Sequence, residues 1–222
     1  MSYTLHTKPA SHQAFKILIA AEYNGVDVEI AENFDAAKVA SLSPTGKGPI
    51  LETPRGILFE SNAIARFLAK IRSDTGLMGQ NVFEEAEVDS WVDFAAREVE
   101  LPACVWFYPV AGYMPFNEDA YKKAKIDFGK ALALLELQLK DKKYLVGDQI
   151  TLADIAVVSS LVYPMKLVCD KAYVEPYPNV VRWFQSCVDE SNFKNVIGVT
   201  TMCKKEITAP GQAKAAAPKA DK

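Results

Sequence analysis

The hydrophobic periodicity of this 222-residue chain changes once along its length, near residues 75–80. Before that point short β-type runs alternate with helical patterns, in the order strand, helix, strand, helix, strand, strand, helix. After it every periodic segment has helical spacing. The sequence therefore predicts an α/β domain over residues 1–75 and an all-α domain, a helical bundle, over residues 80–203.

Residues that favour turns separate the predicted helices and strands of the first domain. Asn24-Gly25 ends the first helix, and the Pro- and Gly-rich run over residues 43–49 is a turn cluster. The predicted strands are Tyr3–Thr7, 26–31, 50–51 and 57–59, and the predicted helices are Pro9–Tyr23, 35–41 and 61–71. Residues 73–79 are expected to be a polar linker.

The second domain is predicted to contain only helices. Pro102 and Pro109 should bend or end the first of them, because proline lacks the N–H that an α-helix needs. The predicted helices cover residues 83–110, 118–140, 151–170, 177–188 and 192–198.

The segment LVGDQITLADI, residues 145–155, is the most informative local motif. Thr151 and Asp154 have the spacing of a capping box at the start of a helix. The helix that follows is apolar nearly all round, so it should be the buried central helix of the second domain. A cap explains Asp154 better than a catalytic acid does.

Charge and composition exclude several functions. The net charge is −3, and the last nineteen residues hold five lysines, so the rest of the chain is more acidic still. An acidic body argues against direct nucleic-acid binding, which needs clustered cations. No apolar run reaches the ~18 residues of a membrane span, and neither the four cysteines nor the two histidines have metal-ligand spacing.

The two ends of the chain give expectations about the cellular location of the protein and about the structure of its C-terminal tail. The N-terminus lacks the pattern of a signal peptide, so a cytoplasmic protein with reduced thiols is expected. Residues 204–222 are rich in Ala, Lys and Pro and are predicted to be a disordered linker tail. Such a tail fits a piece of a longer protein and an ordinary unstructured terminus equally well.

Three motifs in family order resemble the glutathione transferase family. They are GKGPIL at residues 46–51, FESNAIARFL at 59–68 and GDQITLAD at 147–154. The resemblance implies a thioredoxin-like N-terminal domain followed by a helical C-terminal domain. The segments over residues 4–28 and 178–198 are similar, more closely, to the N-terminal domains of translation elongation factor 1 gamma subunits.

Two functions follow from the resemblance. The first is a scaffold in the elongation factor 1 complex that holds the nucleotide-exchange (beta-type) subunit, with a homodimer as a further expected assembly. The alternative is an active glutathione S-transferase that joins an electrophile to glutathione or to a larger derivative such as trypanothione. No cofactor is expected other than glutathione as ligand or co-substrate. The scaffold function is ranked first.

The resemblance also implies a glutathione site. Gly48, before a cis Pro49, would pair through its backbone with the cysteinyl part of the ligand. Glu60 and Ser61 would hold the γ-glutamyl end, where a helix N-terminus attracts a carboxylate. Lys47 would meet the glycyl carboxylate. The alternatives are that Ser61 is a plain helix cap and Lys47 a solvated lysine.

Transferase chemistry needs a group that stabilises the thiolate. Ser11 is the candidate catalytic residue, and Thr7 is second; the alternative is that Ser11 only caps the first helix. His12 is expected to be exposed, and the family's cysteine-type members are excluded because the first cysteine is Cys104. An aromatic group would line either an acceptor pocket or the core: Trp106, Phe107, Tyr108, Tyr113 and Phe116.

Overall fold

The computed structural model describes residues 2–211, and its first half is built on a mixed β-sheet. The strands are β1 (Tyr3–His6), β2 (Val28–Ile30), β3 (Ile50–Thr53) and β4 (Gly56–Phe59). Their order in the sheet is β2-β1-β3-β4. β1 and β2 are parallel, whereas β1–β3 and β3–β4 are antiparallel. This is the predicted thioredoxin-like arrangement.

Helices α1 (His12–Asn24) and α3 (Ser61–Lys70) pack against each other beside this sheet, and α2 (Ala36–Leu42) precedes β3. The prediction that α1 begins at Pro9 was wrong. Ala10 has a φ of +52°, in the left-handed region, so a right-handed helix can begin only after it.

The second half is entirely helical in the part of the chain that the structure describes. Its helices are α4 (Val82–Phe94), α5 (Leu101–Phe107), α6 (Glu118–Gln138), α7 (Leu152–Leu167), α8 (Lys171–Val174), α9 (Pro178–Asp189) and α10 (Ser191–Ile197). A π-helical turn, Ala95–Glu100, joins α4 to α5. The single helix predicted over 83–110 is therefore three segments. Pro102 lies in the first turn of α5, where the missing N–H costs little.

Helix α7 is the buried centre of the helical domain, as the sequence predicts. It packs against α4, α5 and α9 within its own domain and against α1 of the first domain. The capping box is confirmed: Thr151 donates its N–H to Asp154 Oδ2 at 3.0 Å. Ile150 and Ile155, on either side of the cap, are both buried.

The linker between the domains packs against the second domain. A 3₁₀ turn covers Ser73–Thr75, and Leu77 is buried after it. The Leu77 carbonyl accepts a 2.8 Å hydrogen bond from Leu152 N–H. The segment predicted as a polar linker thus contributes an apolar anchor at the start of α7.

The C-terminal segment needs a correction, because its packing continues past the predicted boundary at residue 204. The Glu206 carboxylate accepts hydrogen bonds from Lys125 Nζ at 2.7 Å and Trp106 Nε1 at 3.1 Å. Ile207 N–H bonds to the Leu167 carbonyl at 2.9 Å. Glu206 and Ile207 therefore pack on the helical domain, and the remainder of the predicted tail beyond residue 211 lies outside the described residues.

Two further observations concern only residues 2–211. None of the helices in this range is long and apolar enough to cross a membrane. No group of three His, Cys, Asp or Glu residues in it could hold a metal ion.

Candidate functional site

A cleft of about 650 Å³ lies between the two domains. The first domain contributes the turn before α1 and the turn before β3. The helical domain contributes aromatic side chains of α5 and α7. One wall therefore offers backbone groups and polar side chains, and the other offers mainly rings.

The sheet register brings the predicted glutathione-site segments to one end of the sheet. Ile50, the first residue of β3, pairs with His6 of β1 on one side and with Phe59 of β4 on the other. The next residues outward, Pro49 and Glu60, consequently lie at the same end of the sheet, near the start of α1. Segments far apart in sequence thus converge there.

Of the predicted ligand-binding residues, Lys47, Gly48 and Pro49 line the cleft. The Gly48–Pro49 peptide bond is cis. Glu60 and Ser61 lie at the neighbouring sheet end and are not among the described residues that line the cleft. A peptide held along Gly48 would have to extend out of the cleft to reach them.

The backbone at Glu60 is unusual. Its φ is +68°, and it occupies the capping position of α3, so Ser61 is the first helical residue rather than the cap. Non-glycine residues rarely adopt this conformation, and such residues cluster at functional sites. Glu60 is exposed, and its side chain makes no capping hydrogen bond to α3 in the described part of the chain.

Gly48 is enclosed by its neighbours. A Cβ atom built there would lie 3.3 Å from the His6 carbonyl oxygen, 3.4 Å from the Phe34 ring and 3.6 Å from Val39. The Phe34 ring and Val39 occupy the space beside Gly48 that a larger side chain would need. Glycine is required for space rather than for a special backbone angle.

We expect Gly48→Val to lower the free energy of unfolding by about 1–3 kcal/mol through overpacking. Urea denaturation measures this. In a Phe34→Ala background the same substitution should cost less, because the ring is gone, but not nothing, because the His6 carbonyl oxygen remains the nearest atom. An equal cost in both backgrounds would contradict this account of Gly48.

Ser11 lines the cleft at the capping position of α1, but its side chain makes no capping hydrogen bond in the described chain. The alternative in which Ser11 serves only as a cap therefore lacks its defining contact. The Thr7 hydroxyl, the second candidate, already donates its proton to the Lys8 carbonyl at 3.2 Å. Ser11 remains the better candidate for a thiol partner.

The predicted aromatic group divides between the cleft and the core. Phe107, Tyr108 and Tyr113 line the cleft. Trp106 is fully buried in the core of the helical domain, and Phe116 packs on the same core. The core alternative applies to Trp106 and Phe116, and an acceptor pocket formed by the other three residues stays a prediction.

A buried ionic cluster joins the two domains beside the cleft. The side chain of Lys16 on α1 is only 1% exposed, and its Nζ lies 3.2 Å from Glu100 Oε2 and 3.0 Å from Asn62 Oδ1. Glu100 Oε1 accepts from Gln13 Nε2 at 2.8 Å and lies 3.4 Å from His12 Nε2. The expectation that His12 is exposed was wrong, because the helical domain covers it.

The neighbours of Glu100 change its ionisation. Burial raises the pKa of this carboxyl, but the hydrogen bond from His12 and the charge of Lys16 outweigh burial and lower the pKa to about 2. The carboxylate is therefore charged across the physiological range and compensates the buried Lys16.

The low pKa of Glu100 predicts that the folded state loses stability in acid. Because the folded-state pKa lies below the ordinary value of 4.5, the stabilisation from Glu100 is complete above about pH 4.5 and is lost as the pH falls toward 2. The loss should total on the order of 3 kcal/mol. Urea denaturation at several pH values measures it, and a Glu100→Gln variant should lack this contribution. Equal acid sensitivity in that variant would contradict the assignment.

Comparison with known families agrees with this geometry. Residues 1–70 match the family model described as glutathione S-transferase, N-terminal domain. Residues 102–190 match the model described as glutathione S-transferase, C-terminal domain. The two matches fall on the two structural domains.

The chain also resembles curated relatives over nearly its whole length. It is 39% identical to elongation factor 1-gamma 1 of Oryza sativa subsp. japonica over 229 residues, which cover 100% of this chain and 54% of the relative. It is 42% identical to elongation factor 1-gamma of Carassius auratus over 212 residues, which cover 91% of this chain and 47% of the relative. The chain thus spans about half the length of these relatives.

Solved structures confirm the fold. The GST-like domain of elongation factor 1-gamma from Saccharomyces cerevisiae superposes with a TM-score of 0.81 at 22% identity, covering 94% of this chain and 98% of that one. Poplar glutathione transferase F1 gives a TM-score of 0.78 at 23% identity, covering 89% and 97%. The same architecture is therefore present in a GST-like domain of elongation factor 1-gamma and in a glutathione transferase.

Proposed function

From the premise that this chain belongs to the glutathione S-transferase family, in its elongation factor 1-gamma branch, we propose that it is a scaffold domain of the translation elongation factor 1 complex. In that complex it anchors the nucleotide-exchange subunit. The observation that carries this proposal is the 36–42% identity to elongation factor 1-gamma chains through both domains.

The outer face of α6 suits such an anchor. Ile126, Leu134 and Leu137 lie on this face and are exposed, with Leu137 at 73%. Their spacing of eight and three residues keeps them on one side of the helix, opposite its buried face. Lys140 and Lys142 are exposed just beyond its end. An amphipathic segment of the exchange subunit with apolar and acidic residues would complement this face.

Titration of the exchange subunit into this chain by calorimetry tests the proposal. The wild type should form a saturable complex, and Leu137→Glu should weaken it at least about tenfold by placing a charge in the apolar contact. Val199→Glu is the matched control, because Val199 is 81% exposed but lies outside α6.

No complex with the wild type would refute the scaffold function. A complex that Leu137→Glu and Val199→Glu weaken equally would refute the α6 surface alone. If α6 instead joins two copies of this chain, Leu137→Glu will lower the mass measured by sedimentation without the exchange subunit present.

A homodimer, the other expected assembly, stays a prediction. Val82 and Phe83 begin α4 and are strongly exposed. The ion pair between Lys70 and Glu85, at 2.5 Å, brings this turn beside the end of α3. Sedimentation of Phe83→Glu would show whether a second copy binds there, since an introduced charge should dissociate such a dimer.

We propose glutathione binding as a second function, because the cleft combines the elements that a thiol tripeptide needs. Gly48 offers its backbone beside the cis Pro49, and Lys47 offers a cation to a carboxylate. Ser11 offers a hydroxyl without a capping partner in the described residues. Glu60 lies outside the cleft, at the neighbouring end of the sheet, where its exposed carboxylate could pair with the ammonium group of a ligand that extends that far.

Calorimetry with glutathione tests this second function independently of the first. Saturable heat that disappears in Glu60→Ala would support the site, and loss of thiol conjugation to an electrophile in Ser11→Ala would support the catalytic role. Glu29→Ala, on the exposed strand β2, is the control for Glu60→Ala. No heat at millimolar glutathione would refute ligand binding while leaving the scaffold function intact.

A further inference from the structure

The turn before α1 adopts a conformation that its sequence does not favour. Ala10 has a φ of +52°, in the left-handed region that glycine adopts readily and alanine does not. Contacts from elsewhere must therefore hold this turn in place. Its position matters, because the next residue, Ser11, lines the cleft.

Tyr163 of the helical domain supplies such a contact. Its hydroxyl donates to the Ala10 carbonyl at 2.5 Å, across the boundary between the domains. Burial raises the pKa of Tyr163, so the phenol stays protonated and remains a donor. The ring stacks on Phe107 with 5.7 Å between centroids and meets His12 edge-on at 6.4 Å. These contacts hold the ring and aim its hydroxyl at the turn.

Ser11 depends on this turn for its orientation. Because its side chain makes no capping bond to α1 within the described residues, the backbone of the turn is what directs the hydroxyl. A shift of the Ala10 carbonyl would move the Ser11 Cα–Cβ bond with it. The helical domain can therefore influence the orientation of the Ser11 hydroxyl through the Ala10 carbonyl.

Building on the second function proposed above, we propose that Tyr163 is a positioning residue of the glutathione site. Its hydroxyl holds the Ala10 carbonyl and thereby keeps the hydroxyl of Ser11 facing the ligand thiol. Without the Tyr163 hydroxyl the turn exchanges among several conformations, and each one other than the native turn misplaces Ser11.

The test is Tyr163→Phe in the full 222-residue chain, which keeps the ring and removes only the hydroxyl. We expect the amide signals of Ala10, Ser11 and His12 to shift or broaden in ¹H–¹⁵N spectra. Affinity for glutathione should fall about fivefold or more, the effect of one hydrogen bond. Tyr173→Phe is the matched control: it also removes a hydroxyl that donates to a backbone carbonyl, that of Lys125 at 2.6 Å, but Tyr173 does not line the cleft.

The possible outcomes distinguish failure of the positioning role of Tyr163 from failure of glutathione binding. Unchanged turn amides in Tyr163→Phe would overturn the positioning role, as would a glutathione affinity equal to that of Tyr173→Phe. A fall in affinity that merely parallels a fall in thermal midpoint would also overturn it, since that indicates a general packing role. If the wild type gives no heat with glutathione, the ligand site fails, and the turn amides alone then support or overturn the role of Tyr163 in holding the turn.

Discussion

Replacing Glu100 with alanine is expected to lower the free energy of unfolding by about 3–5 kcal/mol. The substitution removes the carboxylate that faces Lys16, whose side chain is 1% exposed and lies 3.2 Å from it. Lys16 would then be a buried cation with only the Asn62 side-chain oxygen as a recorded partner. Urea denaturation at pH 7 measures the loss.

Two variants make this prediction specific. Glu98→Ala changes an exposed carboxylate in the same π-helical turn and should alter stability by no more than about 0.5 kcal/mol. The double variant Lys16→Met with Glu100→Leu removes both charges and should recover much of the loss, because apolar groups can replace a buried ion pair. If Glu100→Ala is as mild as Glu98→Ala, the cluster does not join the domains.

Replacing Asp154 with alanine should cost about 4 kcal/mol. The carboxyl group is 0% exposed and accepts hydrogen bonds from Leu145 N–H and Thr151 N–H, both at 3.0 Å, and from Trp183 Nε1 at 2.9 Å. Alanine would leave these donors buried without an acceptor. The thermal midpoint and the urea midpoint should both fall.

The matched control is Asp148→Ala, an exposed carboxylate in the loop just before the cap. It should change stability by no more than about 0.5 kcal/mol. Asp154→Asn keeps one acceptor oxygen and should lie between the wild type and Asp154→Ala. An Asp154→Ala protein as stable as the control would contradict the role assigned to this carboxyl group.

The two domains and the central helix could be predicted because their signals are local. The cap of α7 needs only Thr151 and Asp154, three residues apart, followed by an apolar run. The α/β order of the first domain follows from short periodic segments between turn residues. The cis bond before Pro49 came from family resemblance, since proline alone makes a cis bond only weakly probable.

The contacts that complete the site could not be predicted, because each joins residues far apart in sequence. Glu100 reaches Lys16 over 84 residues from a π-helical turn, which breaks the regular helical period. Tyr163 lies 153 residues from Ala10, in a helix whose pattern indicated only a core. Glu206 follows two lysines in a segment of linker-like composition, and only the fold shows its bond to Trp106.

These contacts also bear on function. The buried cluster at Glu100 and the bond from Tyr163 both tie α1 to the helical domain, so the two domains present one continuous body. The exposed apolar residues of α6, where we place the anchor, are not among the described residues that line the cleft. The account therefore predicts that partner binding and ligand binding can be separated by substitution.

The most direct test is the affinity of the exchange subunit for a Ser11→Ala, Glu60→Ala double variant, measured by calorimetry beside the wild type. We predict the same dissociation constant for both proteins, because the proposed anchoring surface lies on α6 of the helical domain and not in the cleft. A wild-type chain that does not bind the exchange subunit would contradict the scaffold function, and a double variant that loses binding would contradict the separation of the anchoring surface from the cleft.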